Sequence, residues 1–148
     1  MRIFNKQPTI TTTLLLFGLI LTGCKESAYT PRQQELLAQF DQGIGKRGQV
    51  FFTHVCSNCH QNQYQIEVPP KGRTMAQWHS YLSNNQHQIG DKIQLLSGFY
   101  SLSYREKLAE TDQMMELLLD INEEDIYVDL GSYLLNSAKD SDNPQSCN

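Results

Sequence analysis

Two cysteines three residues apart, with a histidine directly behind the second, form the group best suited to chemistry in this 148-residue chain: Cys56-Ser57-Asn58-Cys59-His60. On a helix, positions three apart share a face, so both thiols would meet one edge of a flat partner while the imidazole swings beneath it. This is the C-x-x-C-H pattern of covalent c-type haem attachment. Each sulfur bonds one haem vinyl carbon, and His60 presents Nε2 to iron as the proximal ligand. Its other ring nitrogen then needs an acceptor, and a backbone carbonyl at Pro69 or Pro70 is the candidate. Two other uses of C-x-x-C fit less well. Zinc needs four ligands, and no second Cys or His pair stands at a suitable spacing. A thioredoxin-like redox pair belongs in a βαβ pattern, which the chain lacks.

The elements that must carry this motif are helical. A helix starting near Gly48 brings Val50, Phe51, Phe52 and Val55 into the cysteine pair. Upstream, Thr30, Pro31 and Gln33 have the types and spacing of a helix start, with Leu36, Leu37 and Phe40 on one face. Downstream, a polar stretch ends at Pro69-Pro70, which cannot be helix interior. Thr74 with Gln77 opens a helix that aligns Trp78 and Leu82. Asp91 caps a short helix carrying Ile93, Leu96 and Tyr100, and Ser103 with Glu106 marks the next start. Asn122 caps the last helix, where Ile126, Leu130, Tyr133 and Leu134 form an i, i+4, i+7, i+8 stripe. With no alternating strand pattern, no repeat and one C-x-x-C-H, the expectation is an all-α fold around one haem.

The N-terminus reads as an export signal. Arg2 and Lys6 precede an apolar run from Ile10 to Gly23, too short to span a bilayer, and "LTGC" closes it at Cys24. The tetrad resembles the lipobox of bacterial lipoproteins, which implies cleavage before Cys24, lipidation of its sulfur and attachment to a membrane by several acyl chains. Lys25 rather than Asp after that cysteine points, by analogy with enterobacterial sorting, to the outer membrane. The expected organisation is a signal peptide at 1–23, a lipid-anchored tether with a short helix at 24–42, a haem domain at 43–138 and a flexible tail at 139–148. Cys147 in that tail is a lone thiol in an oxidising compartment.

Charge narrows the partners. Twelve Lys and Arg stand against 16 Asp and Glu, for a net −4. No strongly basic surface exists to bind nucleic acid. Lys46, Arg47, Lys71, Arg73 and Lys92 make the region near the motif mildly basic. From Tyr104 onward acids outnumber Arg105, Lys107 and Lys139. That asymmetry suits orientation of a redox partner, or simply gives the last helix a solvated face.

In these residues the chain resembles the class I c-type cytochromes, especially the short bacterial single-haem ones. Gly48, Phe52, Cys56, Cys59 and His60 match the family's N-terminal spacing, and "NEEDIYVDLGSYLLNS" looks like its closing helix. The middle, Gln61 to Gln113, is only loosely similar. The resemblance implies that the first and last helices cross, with Gly48 and Phe52 meeting Tyr133 and Leu134. It also implies a methionine as sixth iron ligand, on a loop before the last helix. Met114 is the candidate and Met115 the alternative, although helical spacing would equally make Met115 a core residue beside Leu108 and Leu119. Rivals for the position are Met75, His79, His87 and an open site; His79 and His87 lie among polar residues, and His54 is expected to point away from the haem.

Two functions follow from these readings. One is a tethered electron carrier that passes single electrons between periplasmic or membrane redox proteins. The other is a haem-based sensor of gas or peroxide, or a small peroxidase-like protein, with an open or weakly ligated sixth position. Arg73, His79 and Arg105 are the residues available to assist peroxide chemistry.

Overall fold

The computed structural model describes residues 29–141, so the export signal, Cys24 and Cys147 lie outside the described residues. The described chain folds mostly into helices, as expected, with one two-stranded sheet. Helix α1 (Pro31–Ala38) is held by a reciprocal cap: Gln33 N–H donates to the Thr30 hydroxyl at 3.3 Å and Thr30 N–H donates to Gln33 Oε1 at 2.9 Å. Leu36 and Phe40 are buried, with the Phe40 ring 5.5 Å from that of Tyr127. This helix is therefore part of the body, although its segment reads in the sequence as tether.

The motif sits on a continuous helical run in three pieces. Helix α2 (Gly45–Phe51) passes into a π-helical turn at Phe52–Ser57, then into α3 (Asn58–Tyr64), which stops at Gln65 in a left-handed conformation with φ 54°. A 3-10 turn at Pro70–Gly72 follows. Helix α4 (Met75–Asn84) repeats the Thr-Gln cap with Thr74 and Gln77 and buries Trp78 and Leu82.

A β-hairpin comes next, where the sequence suggests a loop and a helix. Strands β1 (Gln86–Ile89) and β2 (Lys92–Leu95) pair antiparallel with Ile89 opposite Lys92. The two residues between them, Gly90 and Asp91, make the turn. Gly90 takes φ 57°, which a glycine in the first turn position adopts without strain. Asp91 thus turns a hairpin instead of capping a helix. Asn85 closes the base: its carbonyl accepts Leu96 N–H at 3.0 Å and its Oδ1 accepts Ser97 N–H at 2.7 Å.

Helices α5 (Ser97–Tyr100) and α6 (Leu102–Ala109) follow, the latter capped by Ser101 and not by Ser103. The chain breaks at Thr111–Asp112 and forms a 3-10 helix, Gln113–Leu118, with Asp112 Oδ1 accepting Met114 N–H at 3.0 Å. Helix α7 (Glu123–Asn136) is capped by Asn122 and buries Ile126, Leu130, Leu134 and Leu135.

The core forms where α2 crosses α7. A Cβ on Gly48 would overlap the Asp129 backbone carbonyl, so only glycine allows this approach. Phe52 packs on Tyr133 with ring centres 5.6 Å apart. Asp129 is buried in the crossing, accepting Ile44 N–H and the Arg47 guanidinium, each at 2.5 Å. The Asp129 hydrogen bond raises the Arg47 pKa above its ordinary value. The start of the expected tail is pinned as well: Lys139 N–H donates to the Arg73 carbonyl at 3.0 Å, and Met75 N–H donates to Asp140 Oδ1 at 2.7 Å. Among the described residues no helix is long and apolar enough to cross a membrane.

Candidate functional site

The π-helical turn sets the direction of the motif. An i→i+5 bond widens the turn, and such insertions concentrate at functional sites. The bond from Asn58 N–H to the Thr53 carbonyl marks it here. It turns Phe52 and Val55 into the core and leaves Cys56, at its end, beside Cys59 and His60 on α3. All three motif side chains line one cavity of about 460 Å³, within the range of small-molecule and cofactor sites.

The cavity wall is mainly apolar. Phe52, Val55, Val68, Trp78, Leu130 and Leu134 are among its lining residues. The hairpin supplies the facing wall through Gln86, His87, Gln88 and Ile93, and Phe99 of α5 joins it. Arg73 contributes a positive charge; its guanidinium stacks 5.3 Å from the Trp78 ring centre and 5.8 Å from that of Tyr81, with no carboxylate partner among the described residues.

Electrostatics separate this pair of thiols from a redox pair. Burial, with a further push from Cys59, drives the Cys56 thiol up to about 12, and burial also raises Cys59. Disulfide-exchange cysteines have lowered pKa values that supply thiolate at neutral pH; these two keep their protons. Among the described residues no three His, Cys, Asp or Glu side chains gather as a metal ion bound by protein ligands alone would require.

His60 Nδ1 is buried without a hydrogen-bond partner in the chain. The acceptors expected for it are engaged elsewhere: the Pro70 carbonyl takes Trp78 Nε1–H at 2.7 Å, and the Pro69 carbonyl takes Gly72 N–H at 2.8 Å. The outer hydrogen bond expected from Pro69 or Pro70 is therefore not formed, and the buried Nδ1 of this cavity-lining imidazole stays unpaired.

The other candidates divide sharply. His87 lines the cavity, its ring centre 5.6 Å from that of His60 with planes at 88°. Burial, then the neighbouring His60, lowers its pKa and favours the neutral ring. The sequence context of polar neighbours suggested a solvated residue; strand alternation instead turns His87 and Ile89 inward. The Gly90-Asp91 turn signal between two short segments was the available clue. Met114 is 39% exposed on the 3-10 helix, while Met115 is fully buried in the core, and neither lines the cavity. Met75 is also fully buried away from it. His79 bonds Gln39 Oε1 at 2.8 Å outside the cavity. His54 does point away, pairing through Nδ1 with Asp112 at 2.6 Å. Arg105, nominated for peroxide chemistry, is buried and donates from Nε to the Tyr100 carbonyl at 3.0 Å and from a terminal nitrogen to the Leu118 carbonyl. Burial lowers its pKa, with Glu123 and Glu106 opposing. Its role is to staple α6 to the 3-10 helix.

The geometry thus defines a mostly helical domain with a C-x-x-C-H motif lining an aromatic-walled cavity. No family model, curated protein or solved structure matches the chain.

Proposed function

We propose that the protein is a single-haem c-type cytochrome of the class I kind, anchored by lipid on the periplasmic side of a bacterial membrane, that carries single electrons between redox proteins. The observation that carries this reading is the convergence of Cys56, Cys59 and His60 on one apolar cavity. Two neutral thiols at one edge suit thioether formation. His60 brings an imidazole to the same cavity, where Nε2 would be the iron-binding atom, and Arg73 would supply positive charge for the acidic edge of a haem.

When bound, haem supplies one-electron chemistry at iron. The chain's own part is to hold it covalently, keep water from it and orient its edge. Phe52, Trp78, Leu130 and Leu134 exclude water from the inner wall. The peroxidase-like alternative receives little support, since of Arg73, His79 and Arg105 only Arg73 lines the cavity.

The test is direct. The full chain, exported in a cell with c-type maturation machinery and purified, should retain haem through denaturation, read as peroxidase staining of the denatured band. A colourless protein overturns the reading. Cys24→Ser should move the haem protein from the membrane fraction to the soluble periplasm; unchanged membrane retention removes the lipid anchor from the proposal.

A further inference from the structure

We propose that His87 is the second axial ligand of the iron, so that the haem is held between two imidazoles. This inference rests on the reading above, of a haem covalently held in the cavity, and names the residue that completes its coordination.

Three observations carry it. His87 lines the same cavity as His60. A metal–imidazole bond is about 2 Å long, so two rings on opposite sides of one iron have centres about 6 Å apart. The His60 and His87 rings stand at 5.6 Å. The second observation concerns the other face of the His87 ring. Its Nδ1 lies 2.6 Å from the Tyr81 hydroxyl. The Tyr81 hydroxyl can accept from Nδ1–H, and in that tautomer the lone pair lies on Nε2, the outer partnership that metal-binding histidines use. Phe99, with its ring centre at 5.2 Å, meets the same imidazole nearly edge to face, at 81°. Third, the support is rigid: β1 is paired along its length with β2, and Asn85 bolts the base of the hairpin.

The competing side chains are placed elsewhere. Met75 and Met115 are fully buried outside the cavity, Met114 lies on the surface, and His54 and His79 have partners away from it. Tyr81 lines the cavity, but its hydroxyl is engaged with His87.

The choice of ligand has a chemical consequence. A thioether sulfur raises the potential of a haem that also carries histidine. An imidazole donates more strongly and favours the oxidised iron. Filling both positions from the chain leaves gas or peroxide no open site.

The matured, full-length protein answers the question before any substitution. Its oxidised form should give a highly anisotropic low-spin paramagnetic resonance signal, as near-perpendicular imidazole planes do, and should lack the weak red absorption band of sulfur–iron ligation. His87→Gly should turn the iron high-spin and let the reduced form bind carbon monoxide, and added free imidazole should restore the low-spin spectrum. His87→Met should raise the potential. A sulfur–iron band in the unmodified protein, or a His87→Gly spectrum identical to it, overturns the assignment while leaving the cytochrome reading intact. Absence of covalent haem is the separate result that ends that reading.

Discussion

The wall bearing the cysteines and the loop bearing the methionines both offer iron ligands by residue type, and the fold treats them in opposite ways. Along Cys56–His60 the side chains border open volume, and one buried ring nitrogen has no protein partner. Along Gln113–Leu118 no side chain lines the cavity of the motif. Met115 and Leu118 are buried in the core, Asp112 holds His54, and Arg105 reaches the Leu118 carbonyl. A soft sulfur in a suitable stretch of sequence is therefore not yet a ligand. What makes a site is polar or ligating capacity that the fold has left unspent, facing space.

The sharpest way to break this contrast is Cys59→Ala. It removes one of two thioether positions, and on the proposed function the domain should lose most of its covalent haem. Because small domains lean on such groups for a core, most of its helical circular dichroism should go too. A variant with normal haem content and normal helix content would erase the distinction drawn for the cavity wall.

Met115→Ala tests the opposite region. Truncating a fully buried Met typically costs about 2–5 kcal/mol, and the side chain is entirely inaccessible. The unfolding midpoint in denaturant should fall accordingly, with the low-spin spectrum of the folded protein unchanged. Loss of low-spin character in the folded state would transfer this methionine from packing to ligation.

How much of this was legible beforehand depends on the range of the interactions involved. Local signals were read in part: the caps at Thr30, Thr74 and Asn122 are formed and Ile126, Leu130 and Leu134 of the α7 stripe are buried, with Tyr133 partly so. Asp91, by contrast, caps no helix, and Ser101 replaces Ser103 as the cap of α6. Gly48 does meet α7 at the crossing, although the helix begins three residues earlier, at Gly45. Long-range closures were not readable. The hairpin has two four-residue strands with mostly polar residues, too short for a periodic signal, and its Asn85 clamp joins residues twelve apart. Consequently His87, which depends on that hairpin, looked like surface. Arg105 was available for peroxide chemistry by residue type alone, and the carbonyl partner at Leu118 that occupies it lies thirteen residues away beyond a break in the helix.

The mildest substitution separates sequence logic from the fold most cleanly. Met114 is the residue that family resemblance selects, yet 39% of it is exposed and it does not line the cavity of the motif. Met114→Leu keeps volume and apolar character while removing sulfur. At a surface position away from strain or buried polar groups such a change is worth under about 0.5 kcal/mol. Stability, reduction potential and the oxidised spectrum should therefore all stay at their unmodified values. A fall in potential together with loss of a sulfur–iron band would reverse the comparison, because it would mean that the loop rearranges to bring Met114 over the iron. On the proposed function, equality in all three measurements removes Met114 from iron ligation.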